Sequence, residues 1–275
     1  MVVACTEDGR NESRNPAPVA AANEVWRVSM AHAKDNRGYN ERLFSSGFRG
    51  LFHFARFEWI KSRIEAMRCP VDSVLELGCY DGKIIDYLPK VPERYVGYDA
   101  NWDDGLELAR SRWKGEDRFS FRFAARPEDI VLEEDDRFDI AVSMETLEHV
   151  PPEMVEGYLS KIARHCRGHL FVTVPNEKGL AFLLRHCARK WVNGDAQSYS
   201  FPEFVNASLG RLSRVTRADH KGFDYAELLK QIERHFDVIH VSGHPFPYLP
   251  RHLWFGVGIV ARAKTGPRAP RGNGS

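Results

Sequence analysis

Two short stretches of this 275-residue chain gather side chains able to do chemistry. The first is Met144-Glu145-Thr146-Leu147-Glu148-His149-Val150-Pro151, which packs two carboxylates and an imidazole into five residues. Such a group is costly to assemble unless it is solvated, paired or bound to a metal. Wound as a helical turn, Glu145, Glu148 and His149 stand at i, i+3 and i+4 and share one face. Oxygen and nitrogen donors so arranged suit a divalent cation such as Mg²⁺ or Mn²⁺. The plainer alternative is a turn in which His149 only walls a substrate pocket. The second stretch is Glu76-Leu77-Gly78-Cys79-Tyr80-Asp81-Gly82, a glycine loop after an apolar run, with Asp99 seventeen residues beyond Gly82. Glycine at such a place lets a ligand approach the backbone. A carboxylate ending the next strand can accept both hydroxyls of a ribose. Gly78 and Gly82 are four apart, so the pattern is not G-x-G-x-x-G, which argues against a nicotinamide dinucleotide and its oxidoreductases. An ordinary strand-to-helix turn is the alternative to a nucleoside site.

Rigid elements must stand behind these residues. Residues 50–68 place Phe54, Phe57, Ile60, Ile64 and Met67 at spacings of three and four, one face of a helix that ends at Cys69-Pro70. With Tyr39–Phe48 this helix reads as an N-terminal cover over the ligand crevice. Apolar runs at 71–78, 94–99, 119–124, 138–144 and 168–174 read as strands, with helical patterns at 83–88, 103–113 and 151–166 between them. Strands alternating with helices imply βαβ units and a doubly wound α/β sheet. Residues 176–222 form an insertion holding one helix, 180–191, and a loop region. Asp224 then stands to cap the last helix, with Glu227 three residues on as a capping box and Phe223 and Leu228 as a hydrophobic staple. Runs at 237–243 and 254–263 close the sheet as an antiparallel pair. The glycine loop and the Glu145–His149 turn both fall at carboxyl ends of strands, where open α/β sheets bind ligands.

At this point VLELGCYDG, VGYDA, RFDIAVSMETLEHV and LFVTVPN, in this order, resemble the successive motifs of class I S-adenosylmethionine-dependent methyltransferases across residues 72–263. The resemblance implies a Rossmann-like sheet of seven strands, six parallel and one antiparallel. It implies that Glu76, Gly78, Cys79, Tyr80 and Gly82 hold the methionine moiety of S-adenosylmethionine and Asp99 its ribose. Ala100, Met144 and Glu128 complete the implied cofactor set, with Glu128 or Asp129 standing in for an acidic residue the family places after its third strand. Tyr80 departs from the family, which commonly has glycine there; a tyrosine must point out of the loop or cover the cofactor. Glu-x-x-Glu-His further resembles the metal-dependent O-methyltransferases of the ubiquinone-pathway and small-RNA 2′-O types. There a histidine before the last helix joins the turn, here His220 in Asp219-His220-Lys221-Gly222-Phe223. Glu145, Glu148, His149 and His220 are thereby implied as metal ligands, and Glu145, His149 and His220 as catalytic. A loop histidine packing on the following helix is the alternative for His220. The implied activity is O-methylation of a hydroxyl on a small molecule, sugar or lipid-linked glycan. Its rivals are a metal-independent methyltransferase using His149 as base and a binding module that keeps only the fold.

Composition sets the outer bounds. Lys plus Arg number 39 and Asp plus Glu 38, a formal charge of 39 − 38 = +1, so charge alone holds no nucleic acid, and no RNA-binding module is visible. Apolar residues at 43% and charged residues at 28% exclude wholesale disorder. Five scattered cysteines without C-x-x-C, and no secretory segment, fit reduced thiols in the cytoplasm. Polar tails at 1–22 and from 264 onward are expected to be disordered, leaving 23–70 as cover and 71–263 as the catalytic domain. Arg185, Arg189, Lys190, Arg211, Arg214, Arg217 and Lys221, with Phe182, Leu183, Leu184 and Trp191, make the insertion basic and partly apolar. An amphipathic cover, a peripheral membrane contact, a site for an anionic acceptor and a solvated face are the readings it allows.

Overall fold

Seven strands lie in one sheet in the order β3-β2-β1-β4-β5-β7-β6. They are β1 Ser73–Leu77, β2 Arg94–Asp99, β3 Phe119–Phe123, β4 Phe138–Met144, β5 Cys166–Pro175, β6 Phe236–His244 and β7 Gly256–Ala263. The computed structural model describes residues 47–193, 199–218 and 220–264. The tail read at 1–22, the cover before residue 47, the end of the chain from 265 and the side chains of Arg189, Lys190 and Trp191 lie outside the described part. β1 to β5 are parallel; β7 runs antiparallel to both β5 and β6. The expected seven-stranded α/β sheet is therefore the observed one. Every residue of β1 is buried, as a strand covered on both faces requires.

Six α-helices accompany the sheet among the described residues: α1 Gly47–Met67, α2 Gly105–Arg112, α3 Pro152–His165, α4 Gly179–Asn193, α5 Phe201–Ser208 and α6 Tyr225–His235. Val155, Leu159 and Ile162 of α3 pack with Leu228 and Ile232 of α6 in one core. Phe57, Ile60 and Ile64 of α1 pack with Ile84, Leu106 and Phe171 in the other. The Trp59 indole N–H donates to Ser242 Oγ at 2.9 Å, and its ring fills the space a Cβ on Gly258 would need, so α1 is seated on β6 and β7. Residues 83–87 form a 3₁₀ rather than an α-helix. Asp224 caps α6 by accepting from the Ala226 amide at 2.9 Å, whereas Glu227 bonds Lys230 instead of closing a box.

The insertion holds more than one helix. Ser200 and Glu203 form a capping box that starts α5 despite Pro202, which sits in the first turn where proline is tolerated. Phe182, Ala207, Leu212 and Val215 form a small core of their own. Arg185, Arg217 and Lys221 turn inward to Glu177, the Glu148 carbonyl and Glu203, so only part of the expected basic face is solvated. Among the described residues no helix is long and apolar enough to cross a membrane.

Replacing Ile60, fully buried on α1, with Ala is expected to cost about 2–5 kcal/mol in denaturant unfolding. Burial and, second, the Arg56 guanidinium lower the His53 pKa to about 2 and that of His244 to about 3. Below the ordinary value of 6.5 the unfolded chain takes up protons that the native chain refuses, so stability falls as pH drops from about 6.5. Thermal midpoints are expected to decline from pH 6.5 to 5, with a shallower slope in His244→Gln.

Candidate active site

The parallel register sets Leu77 level with Tyr98 and Ser143, so the residues that follow β1, β2 and β4 share one edge of the sheet. The loop after β1 leaves its strand through Gly78, whose φ of 79° is left-handed. A Cβ on Gly78 would collide with the Thr146 side chain, so the loop and the turn after β4 are packed against each other. The Gly78 and Cys79 amides both donate to the Tyr98 carbonyl, at 2.7 and 3.2 Å. Cys79 is buried against Gly97, and burial pushes its thiol well up, so it offers no nucleophile. Glu76 is buried below the loop, hydrogen-bonded by the Tyr95 hydroxyl, and burial raises its pKa well above the carboxylate range. The Tyr80 ring lies on Gly105 at the head of α2 and beside Trp102.

Asp99 is the polar centre of this half. Its two carboxylate oxygens accept from the Tyr80 amide at 3.0 Å and the Trp102 amide at 3.2 Å. Burial raises its pKa, and those amides pull it back. Each oxygen keeps a lone pair, so ribose hydroxyls can be received without displacing either amide. The residues therefore fit an adenosine-bearing cofactor. Ala100 is exposed just past Asp99, and Met144 ends β4 on the α1 side of the sheet. Glu128 is exposed, while Asp129 accepts from the Ala125 and Arg126 amides at 2.9 Å and so stabilises its own turn.

The turn after β4 is not helical. The Glu145 amide donates to the Thr173 carbonyl at 2.8 Å, extending the pairing with β5, and Glu145 then takes a left-handed φ of 48°. One hydrogen bond, His149 N–H to Thr146 O at 3.0 Å, closes the turn. The shared face expected of Glu145, Glu148 and His149 is consequently absent. Glu148, His149 and His220 converge instead, with one donor atom from each within 4.8 Å of the others. His220 reaches them from a tight turn closed by Ala218 and Lys221, and its ring centroid is 4.1 Å from that of His149. Glu148 is fully buried, and neither carboxylate oxygen has a hydrogen-bond partner. Burial first, and the Glu145 carboxylate second, push its pKa well above the ordinary range. Glu145 lies outside this group and faces Arg56 of α1, 3.7 Å away.

The family model described as a methyltransferase domain matches residues 51–240. The chain belongs to that family. The methyltransferase is 24% identical over 195 residues to the ubiquinone biosynthesis O-methyltransferase of Chelativorans sp. (strain BNC1), covering 68% of this chain and 73% of that one. A structure of an S-adenosylmethionine-dependent methyltransferase from Clostridium acetobutylicum superposes with a TM-score of 0.55 at 9% identity, over 80% of this chain and 96% of the other. The N-methyltransferase NodS of Bradyrhizobium japonicum, in complex with S-adenosylhomocysteine, gives 0.51 at 14% identity, over 82% and 96%. Its activity is S-adenosylmethionine-dependent methyl transfer.

Arg56 and Arg217 are the residues that motif reading passes over in this methyltransferase. Arg56 sits on a helix noticed for its apolar stripe, and Arg217, which donates to the Glu148 carbonyl at 2.5 Å, sits in a stretch noticed for its charge. No sequence spacing links either to the turn they touch. Asp99→Ala is expected to weaken S-adenosylhomocysteine binding at least about tenfold in calorimetry, because it removes the ribose acceptor and frees two amides. Gly78→Ala is expected to do the same while lowering the thermal midpoint.

Proposed function

We propose that this methyltransferase is an O-methyltransferase that acts on one of two neighbouring hydroxyls of a small molecule, sugar or lipid-linked glycan, assisted by a divalent cation held by Glu148, His149 and His220. The observation that carries the reading is the Glu148 carboxylate, buried without a hydrogen-bond partner beside two imidazoles. A desolvated carboxylate is costly as an anion unless a positive charge answers it. One carboxylate and two imidazoles form a donor set suited to a transition-series dication such as Mn²⁺, with Mg²⁺, which prefers oxygen ligands, the poorer fit. Glu145, implied as a fourth ligand by the motif resemblance, is not required in this reading.

When bound, S-adenosylmethionine supplies the methyl group and the cation lowers the pKa of the acceptor hydroxyl. The chain's own residues do the rest. Asp99 and the loop from Gly78 to Gly82 fix the cofactor end, and Glu148 with the two histidines fixes the acceptor end. The contact of Thr146 with Gly78 holds the two ends in register, as in-line transfer requires. Whichever of His149 and His220 is not holding the cation at that moment accepts the hydroxyl proton, since a metal-bound imidazole nitrogen has no lone pair to give. The close ring contact of His149 and His220 supports a second, metal-free reading in which His149 is the base outright. An apolar stripe on α5 and the residue that ends it, with Phe201 at 79% and Leu209 at 60% exposure, stands near exposed Arg211 and Arg214 and supports an acceptor delivered from a lipid or membrane surface.

Methyl transfer from labelled S-adenosylmethionine to a panel of catechols and glycosides is expected to fall at least about tenfold in EDTA and to return with Mg²⁺ or Mn²⁺. Undiminished transfer in metal-free buffer sinks the cation and leaves His149 as base. Glu148→Gln is expected to raise the thermal midpoint of the cation-free protein, since it removes a buried charge, and to abolish stabilisation by added cation.

A further inference from the structure

We infer that Arg56 and Glu145 together form an acceptor subsite for an uncharged pair of neighbouring hydroxyls, and that Arg56 sets this specificity. The inference rests on the O-methyl-transfer reading above and adds a residue from outside the motif-bearing loops. Arg56 is more than nine-tenths buried. A buried guanidinium is tolerated when its donors are nearly all engaged, yet this one is half used. Its Nη2 donates to His53 one turn earlier at 2.5 Å. Its Nη1 stands 3.7 Å from Glu145, within ion-pair range but too long for a hydrogen bond. Its Nε has no partner. Glu145 mirrors this state, with one oxygen at 3.7 Å from Arg56 and Oε1 buried without a partner. The left-handed backbone at Glu145, combined with its amide bond to Thr173, fixes the carboxylate's base instead of letting it relax onto the guanidinium.

Arg56 Nη1 and the Glu145 carboxylate therefore stand side by side without a hydrogen bond between them. A hydroxyl placed beside the pair can bridge it, since it accepts from the guanidinium and donates to the carboxylate. Two adjacent hydroxyls do so in a two-pronged manner that matches the planar fork. The Arg56 guanidinium already stands in ion-pair range of the Glu145 carboxylate, so a neutral pair of hydroxyls suits this place better than an anion, which the carboxylate would repel. Glu145 follows β4 directly and is three residues from Glu148, so a diol held here lies beside the Glu148–His149–His220 group.

The test uses the full chain saturated with S-adenosylhomocysteine, titrated calorimetrically with catechol and with methyl α-D-mannopyranoside as aromatic and sugar diols, and with benzoate as the anion. At least one diol is expected to bind, and more tightly than benzoate. Arg56→Lys keeps the charge and loses the fork; it is expected to weaken diol binding about tenfold, with S-adenosylhomocysteine affinity within about twofold of the parent. Arg56→Met is expected to weaken it further, and circular dichroism with thermal midpoints separates that loss from unfolding. Unchanged diol affinity in Arg56→Lys, tighter binding of benzoate than of either diol, or no diol binding at all overturns the inference. Failure of the parent chain to bind S-adenosylhomocysteine overturns the methyl-transfer reading together with it.

Discussion

Gly78 and Thr146 compete for one volume, and the rest of the site depends on how that competition is resolved. The loop after β1 carries no side chain where the turn after β4 places its hydroxyl and methyl group. Neighbouring parallel strands stand about 4.8 Å apart, so two loops leaving β1 and β4 at the same level must interlock or splay. Interlocking them joins the Asp99 half and the Glu148 half into one rigid edge. The left-handed residues at Gly78, Tyr80, Gly82 and Glu145 are what such tight exits require.

Charge is distributed along that edge in an uneven way. Glu76, Asp99 and Glu148 are all buried, and each is answered differently: by a tyrosine hydroxyl, by backbone amides, and by no hydrogen bond. Burial raises the pKa of all three. Glu76 has its partner within the protein, Asp99 has partners and spare lone pairs, and Glu148 has the His149 ring 3.9 Å away without a hydrogen bond. The cations near the edge, Arg56 and Arg217, come from α1 and the insertion and meet the Glu145 carboxylate and the Glu148 carbonyl.

Much of this was legible in the sequence because parallel strands are apolar throughout and each ends at a distinctive residue: Gly78, Asp99, Met144. The seven-stranded sheet follows from motif order, and Asp99 and the glycine loop fall at the strand ends read for them. Local spacing failed where tertiary contact overrides it. Glu-x-x-Glu-His fits a helical face, yet pairing with β5 at Glu145 and packing on Gly78 turn the chain another way, and Glu145 swings to Arg56. The helix α5 was hidden by its proline and short length. Arg56 had no legible signal, since nothing in the sequence tells which polar residue of an amphipathic helix meets a loop ninety residues later.

The small core of the insertion bears on how the trio is held together. Four buried side chains form it, against the two large cores that grip the sheet. The chain leads from that core into the turn carrying His220, whereas Glu148 and His149 follow β4. Asp99 and the glycine loop thus stand on the sheet alone, while the convergence of His220 with Glu148 and His149 draws on two separately packed pieces of one polypeptide.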